Sequence, residues 1–138
     1  MDSLRHAYPI CPQCGEAMAR RHEGGVDRPA CASCGFVQYL NPSPAAAVIL
    51  RRGDEVCLVT RKFPPKVGQW TLPAGFIAYD EDVAEAAARE ALEDTGLAVR
   101  LTRFPAALSG VLPPGPPASC IVFPAEVTGV HRASSRAP

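Results

Sequence analysis

The sequence predicts an α/β protein preceded by a small cysteine-bound unit, and three observations carry that prediction. Two short apolar runs flank a Gly53-Asp54 turn, an alanine-rich segment carries helix start and stop signals, and four cysteines fall in two close pairs. At 138 residues the chain can hold one compact domain and a small appendage. Hydrophobic content of 47% with 20% charged residues suits a soluble globular protein.

The 14 basic and 14 acidic residues cancel, so a general nucleic-acid or anionic-membrane binder is not expected. No apolar run approaches the roughly 20 residues that span a bilayer. The start, MDSLRHAYPI, lacks the apolar stretch of a signal peptide, so a cytoplasmic location is expected. The prolines cluster at Asn41-Pro-Ser-Pro44, Pro64-Pro65 and 113–117 and mark joints and loops.

Residues 1–40 hold Cys11-Pro-Gln-Cys14 and Cys31-Ala-Ser-Cys34, sixteen residues apart, with Gly15 and Gly35 after the second cysteine of each pair. This is knuckle spacing: a tight turn brings two thiolates to one ion while backbone N–H groups point at sulfur. Two knuckles make a closed, structural four-thiolate Zn2+ site, a zinc ribbon. Two disulfides are the alternative, disfavoured where no secretory signal is seen. So short a segment has little apolar surface, and the ion would supply its folding energy. His22, between the knuckles, is expected at the surface.

Residues 41–138 form the second domain. Ala45–Leu50 and Val56–Thr60 read as hairpin strands around Gly53-Asp54, apolar enough to be covered on both faces. Cys57 is expected as a small core residue. Arg61-Lys62-Phe63-Pro-Pro-Lys66 is a basic, proline-stiffened loop. Asp82 is placed to cap a helix over Val83–Thr95, with Glu85 completing a capping box and Gly96 ending it in a left-handed cap. Its alanines favour the helix and let its axis approach a sheet. Leu97–Phe104 alternates as a half-exposed strand. Gly110–Ser119 reads as a rigid loop, and Cys120–Phe123 as a buried strand that Pro124 turns into an edge or bulge.

The chemistry gathers on that helix. Residues three and four apart share a face, so Glu90, Glu93 and Asp94 project carboxylates together, with too few local cations to relieve their repulsion. An all-oxygen set favours hard ions, Mg2+ or Mn2+.

Gly75, Glu81, Arg89-Glu90-Ala91, Glu93-Asp94 and Gly96-Leu97, at fixed spacing over 23 residues, resemble the nudix box of hydrolases of nucleoside diphosphates linked to another moiety. Gly68-Gln-Trp-Thr-Leu-Pro-Ala-Gly75 resembles its lead-in. The resemblance implies an α/β/α sandwich with a mixed sheet. Only one good helix is visible, so the C-terminal helix looks missing, and one sheet face would be bare. A homodimer or a truncated sequence would account for that.

The resemblance also implies roles. Glu90, Glu93 and Asp94 would be metal ligands, and Arg89 would orient a carboxylate, Glu81, within the catalytic set. Gly75 and Ala74 would shape the turn. Arg61, Lys62 and Gly75 would meet the substrate, and Trp70 would either pack beneath the site or stack on a base. Three departures stand out: Ala78 where an acid is usual, Asp80 where a glycine is usual, and Asp94 for a glutamate.

Ribbon, Asn-Pro linker and lead-in are similar to a group of FAD and ADP-ribose pyrophosphatases. NADH pyrophosphatases are the alternative, but their S-Q-P-W-P-F-P-x-S signature is absent after the box. A non-catalytic nucleotide sensor and a zinc-ribbon adaptor are rivals from other classes.

Overall fold

The computed structural model describes residues 8–64, 66–102, 105–111 and 117–130. The chain divides into two compact units at Asn41 and Pro42.

In the first unit, β1 (Met18–Glu23) and β2 (Val26–Cys31) pair antiparallel. Sequence reading did not anticipate this hairpin. Gly24 and Gly25 form its turn with φ of 60° and 78°, a pair of left-handed positions that suits glycine. The buried residues here are few: Cys11, Ala30 and Cys31.

The second unit is built on a six-stranded mixed sheet. Its path is β4 (Glu55–Val56), β3 (Ser43–Arg52), β10 (Pro117–Val130) and β8 (Leu97–Leu101). Off that path, β7 (Ala74–Phe76) pairs with β3 and β9 (Ala106–Val111) with β10. The β3–β10 pairing is parallel and the other pairings are antiparallel. A separate ribbon joins β5 (Val59–Thr60) to β6 (Trp70–Thr71).

Helix α1 spans Val83–Thr95, as its signals require. Asp82 accepts from the Ala84 N–H at 2.8 Å, and Gly96 closes the end at φ 73°. The cap bond comes from Ala84, one residue earlier than a capping box would use. Ala86, Ala87 and Ala91 are fully buried, so the helix lies close on the sheet. They pack with Ala46, Val48 and Leu50 of β3 and Phe123 and Ala125 of β10, with Cys57 at the margin.

Several expectations change. The run Val56–Thr60 is not one strand: it breaks at Cys57-Leu58, and β5 leaves the hairpin to pair with β6. Ser43 and Pro44 belong to β3, so the linker is shorter than expected. The strand after α1 ends at Leu101; 103–104 lie outside the described residues. Both flanks of the expected loop at Gly110–Ser119 are strand, with 112–116 outside the described residues.

Pro124 is central, not at an edge. The antiparallel neighbour of β10 changes from β9, up to Val122, to β8, from Ala125, and Pro124 sits at that changeover. A missing N–H costs least where one ladder stops and the next begins.

Among the described residues α1 is the one helix, and no helix is long and apolar enough to cross a membrane. The face away from α1 is less bare than expected, since Ala47 and Val122 at its centre are buried.

Candidate functional site

Gly75 lies in β7, opposite Ala46 of β3, so it is a strand residue and not the turn expected from sequence. Its need for glycine has another cause: the Glu90 carboxylate sits where a Cβ on Gly75 would be. The buried alanine face of α1 allows this approach by lowering the helix onto the sheet. The Asp80 backbone is not left-handed, because Lys66 is the non-glycine residue with positive φ among those described. An aspartate there carries no backbone cost.

Arg89 organises the carboxylates. Its Nε and Nη2 donate to the two oxygens of Glu81 at 2.6 and 2.9 Å, a bidentate fork. Its Nη1 donates to Glu90 at 2.6 Å and Glu93 at 3.3 Å, and Nη2 also reaches the Phe76 carbonyl at 3.2 Å. The expected shortage of cations is therefore corrected: one guanidinium serves three acids. The Glu81 carboxyl is held down at about 2, first by the Arg89 hydrogen bonds and then by the Ala78 N–H at 3.1 Å. Glu81, and next Glu90, push the guanidinium further toward its charged form.

Asp94 faces elsewhere. It accepts from the Ala74 N–H at 3.2 Å and lines a cavity of about 390 Å³ with Arg61, Lys62, Phe63, Trp70 and Ala74. The site thus has two parts joined at β7, an arginine-bound carboxylate group and a cavity with cations and aromatic rings. Trp70 is 70% exposed, which overturns core packing beneath the site. Phe63, 76% exposed, was missed as a lining residue. An aromatic side chain inside a basic, proline-flanked loop was its available signal.

An all-oxygen set at one edge of the sheet fits a hard divalent ion in donor chemistry. Glu90 and Glu93 already share one cationic nitrogen. Asp94 is not drawn into that group.

The cysteines converge fully. Cys11 and Cys34 sulfurs are 3.6 Å apart, Cys14 and Cys31 sulfurs 3.5 Å, and all four lie within 4.8 Å of one another. A tetrahedron with Zn–S bonds of about 2.3 Å has edges of about 3.8 Å, so the set fits zinc. Gly15 and Gly35, at φ 77° and 79°, donate to the Cys11 and Cys31 carbonyls and close matching turns. Backbone N–H groups of Glu16, Cys34 and Phe36 point at Cys14, Cys31 and Cys34 sulfurs. The Cys34 N–H, helped by the Cys14 thiol against desolvation, holds Cys31 down at about 7. The Glu16 N–H pulls Cys14 down, but the Cys31 thiol and desolvation outweigh it and push it up to about 12. His22 is exposed and pairs with Asp27 at 2.7 Å.

A mixed sheet carrying an acidic helix, with a cavity lined by cations and aromatic rings beside it, defines an α/β protein with a candidate small-molecule site. Comparison with known proteins narrows this class. A NUDIX domain model matches residues 41–134, and the chain belongs to the NUDIX family.

The NAD-capped RNA hydrolase NudC of Chromobacterium violaceum is 32% identical over 131 residues, covering 90% of this chain and 44% of that protein. That match is too long for the second unit alone and takes in much of the cysteine unit. NudC of Pseudomonas aeruginosa is 37% identical over 92 residues, 65% of this chain and 31% of that protein. The chain therefore spans less than half the length of these relatives. A NUDIX hydrolase structure from Nitrosomonas europaea is 31% identical, with a TM-score of 0.74 over 89% of this chain and 69% of that one.

Proposed function

We propose that this chain hydrolyses the pyrophosphate bond of a nucleoside diphosphate derivative, with ADP-ribose or FAD as first substrates, giving AMP and a phosphorylated product. One observation carries the reading: the Glu90 carboxylate is seated on Gly75 and tied with Glu93 to Arg89, next to the Asp94 cavity.

Glu90, Glu93 and Asp94 are the residues to hold Mg2+ or Mn2+. When bound, such ions neutralise phosphate charge and make water nucleophilic. Arg89 keeps Glu90 and Glu81 in place and Glu81 ionised. Arg61 and Lys62 meet phosphate oxygens, and Trp70 and Gly75 complete the substrate contacts. Residues 1–40 act as a zinc ribbon with a structural Zn2+ on Cys11, Cys14, Cys31 and Cys34. Residues 41–138 are the hydrolase domain, placed in the cytoplasm. A homodimer is proposed because α1 is the one helix among the described residues; sedimentation showing only monomer sinks it.

An NAD-type substrate is the second reading. It is favoured by relatives named as NAD-capped RNA hydrolases and opposed by the absent S-Q-P-W-P-F-P-x-S signature. Nucleic acid enters only through that reading. A non-catalytic sensor is the reading from another class: Ala78 and Asp94 still depart from the usual acids, while Asp80 carries no backbone cost.

The test is AMP release from ADP-ribose, FAD, NADH and nucleoside triphosphates with Mg2+. Glu90→Gln should lower turnover about 10²–10³-fold, the scale of losing one preorganised charge-stabilising group. Binding without turnover of any compound would leave the sensor.

A further inference from the structure

We infer that the fork at the ends of β3 and β10 is a second small-molecule site, one that takes an amphipathic anion, with its carboxylate on Arg51 and an aliphatic chain along an apolar floor. The inference goes beyond the hydrolase reading and does not depend on it.

The fork arises where a ladder stops. The parallel pairing of β3 with β10 ends at Leu50 and Ala125. Beyond that pair β3 runs on with β4 to Arg52, and β10 runs on with β8 to Val130. The two strand pairs part there and leave a cavity of about 980 Å³, at the large end of ligand pockets.

A β-bulge builds one of its walls. Val127 and Val130 are an odd number of residues apart and would point to opposite faces of a regular strand. The register shift between Val127 and Gly129 inserts one residue, so Val127 and Val130 sit opposite Val99 and Leu97, on the same face. Both valines and Leu97 line one side of the fork, Val56 and Cys57 the other, and Leu50 the floor. Val130 is 74% exposed, so apolar surface is left in water here.

The lining selects the ligand. It carries no aromatic ring, hydroxyl or amide side chain, so nothing there recognises a base or a sugar. Aliphatic walls fit an aliphatic chain. The charges at the mouth leave one cation over. Arg52 pairs with Glu55 at 2.8 Å and Arg100 with Glu126 at 2.8 Å, while Arg51 has no partner among the described residues. A monoanion offsets that charge, and a carboxylate matches the guanidinium fork. The groove shares no lining residue with the substrate cavity.

The full chain is titrated with decanoate below its micelle-forming concentration and followed by amide NMR shifts and calorimetry. Saturable shifts at Arg51, Leu97, Val127 and Val130 are expected, with none from acetate, which has the charge without the chain. Octanoate, two CH2 groups shorter, should bind about tenfold more weakly. Arg51→Gln should weaken decanoate binding about fivefold. Val127→Glu should abolish it by setting a like charge against the ligand. Arg51 and Val127 are both exposed, so neither variant removes a core residue.

Absence of saturable binding overturns the proposal. So do decanoate shifts confined to the Trp70 cavity, an affinity unchanged in either variant, or decanol binding as tightly as decanoate. Shifts of the same amides on raising the protein concentration without ligand assign the fork to a second copy of the chain and overturn it as well.

Discussion

The chain has two regions suited to a cation, and they are prepared in opposite ways. In the cysteine unit four sulfurs already lie within 4.8 Å of one another, while the unit buries little besides Cys11, Ala30 and Cys31. On α1 the carboxylates are spread between Arg89 and the Ala74 amide, while the helix beneath them is packed into a full apolar core. The contrast separates two uses of an ion. Where apolar burial is scarce, as in the cysteine unit, an ion on the four sulfurs would be part of the fold. Where the core suffices, as around α1, a bound ion would be free to serve the proposed chemistry, and Arg89 already holds Glu81, Glu90 and Glu93 together.

Removing the cysteine ligands should break this comparison most visibly. Structural zinc contributes about 10–16 kcal/mol of apparent binding energy in small zinc units, more than so small a fold can otherwise supply. Cys14→Ser, or a zinc chelator, should collapse the amide NMR dispersion of residues 8–41 while signals from Pro42 onward persist. Retained dispersion in both regions would show that the first unit holds without metal.

Gly75→Ala sharpens the other side. Its new methyl overlaps the end of a flexible side chain and not the backbone, so the melting temperature should move little. Glu90 must shift and loosen its 2.6 Å bond to Arg89, and misplacement on the ångström scale can cost about 100-fold in rate. A variant with activity within a few-fold of the parent would remove Glu90's position from the mechanism.

The smallest effect is on acid stability. The Glu81 carboxyl falls from its ordinary 4.5 to about 2 on folding. A depressed folded value means its contribution is complete above about 4.5 and fades as pH falls toward about 2. Denaturation midpoints followed through that window should fall less steeply in Glu81→Gln than in the parent. Identical slopes would mean the fork on Arg89 contributes nothing to the fold.

The helix was legible in the sequence at both ends, because its signals are local: Asp82 at the start, Gly96 at the stop, alanines between. The Gly53-Asp54 hairpin and the cysteine knuckles are equally short-range. What escaped depends on neighbours distant in the chain. Ala74–Phe76 is a three-residue strand only because β3 lies beside it, so Gly75 looked like a turn. Trp70 looked like core because a lone tryptophan in a short strand usually is, and nothing local reveals that β6 pairs, among the described residues, with β5 alone. Arg89 was readable as a partner for Glu81, but its reach to Glu90 and Glu93 needed the packed helix.

The parallel pairing of β3 with β10 has a consequence for how the chain acquires its shape. Ser43 meets Ala118, and every element of the acidic helix is made between those two strands. During synthesis α1 can form early from its own caps, yet the sheet it rests on stays incomplete until Phe123 and Ala125 arrive. Until then Val48 and Leu50 lack the Phe123 and Ala125 side of their cluster. The order of events is built into the topology, with the reactive helix waiting on a strand that follows it.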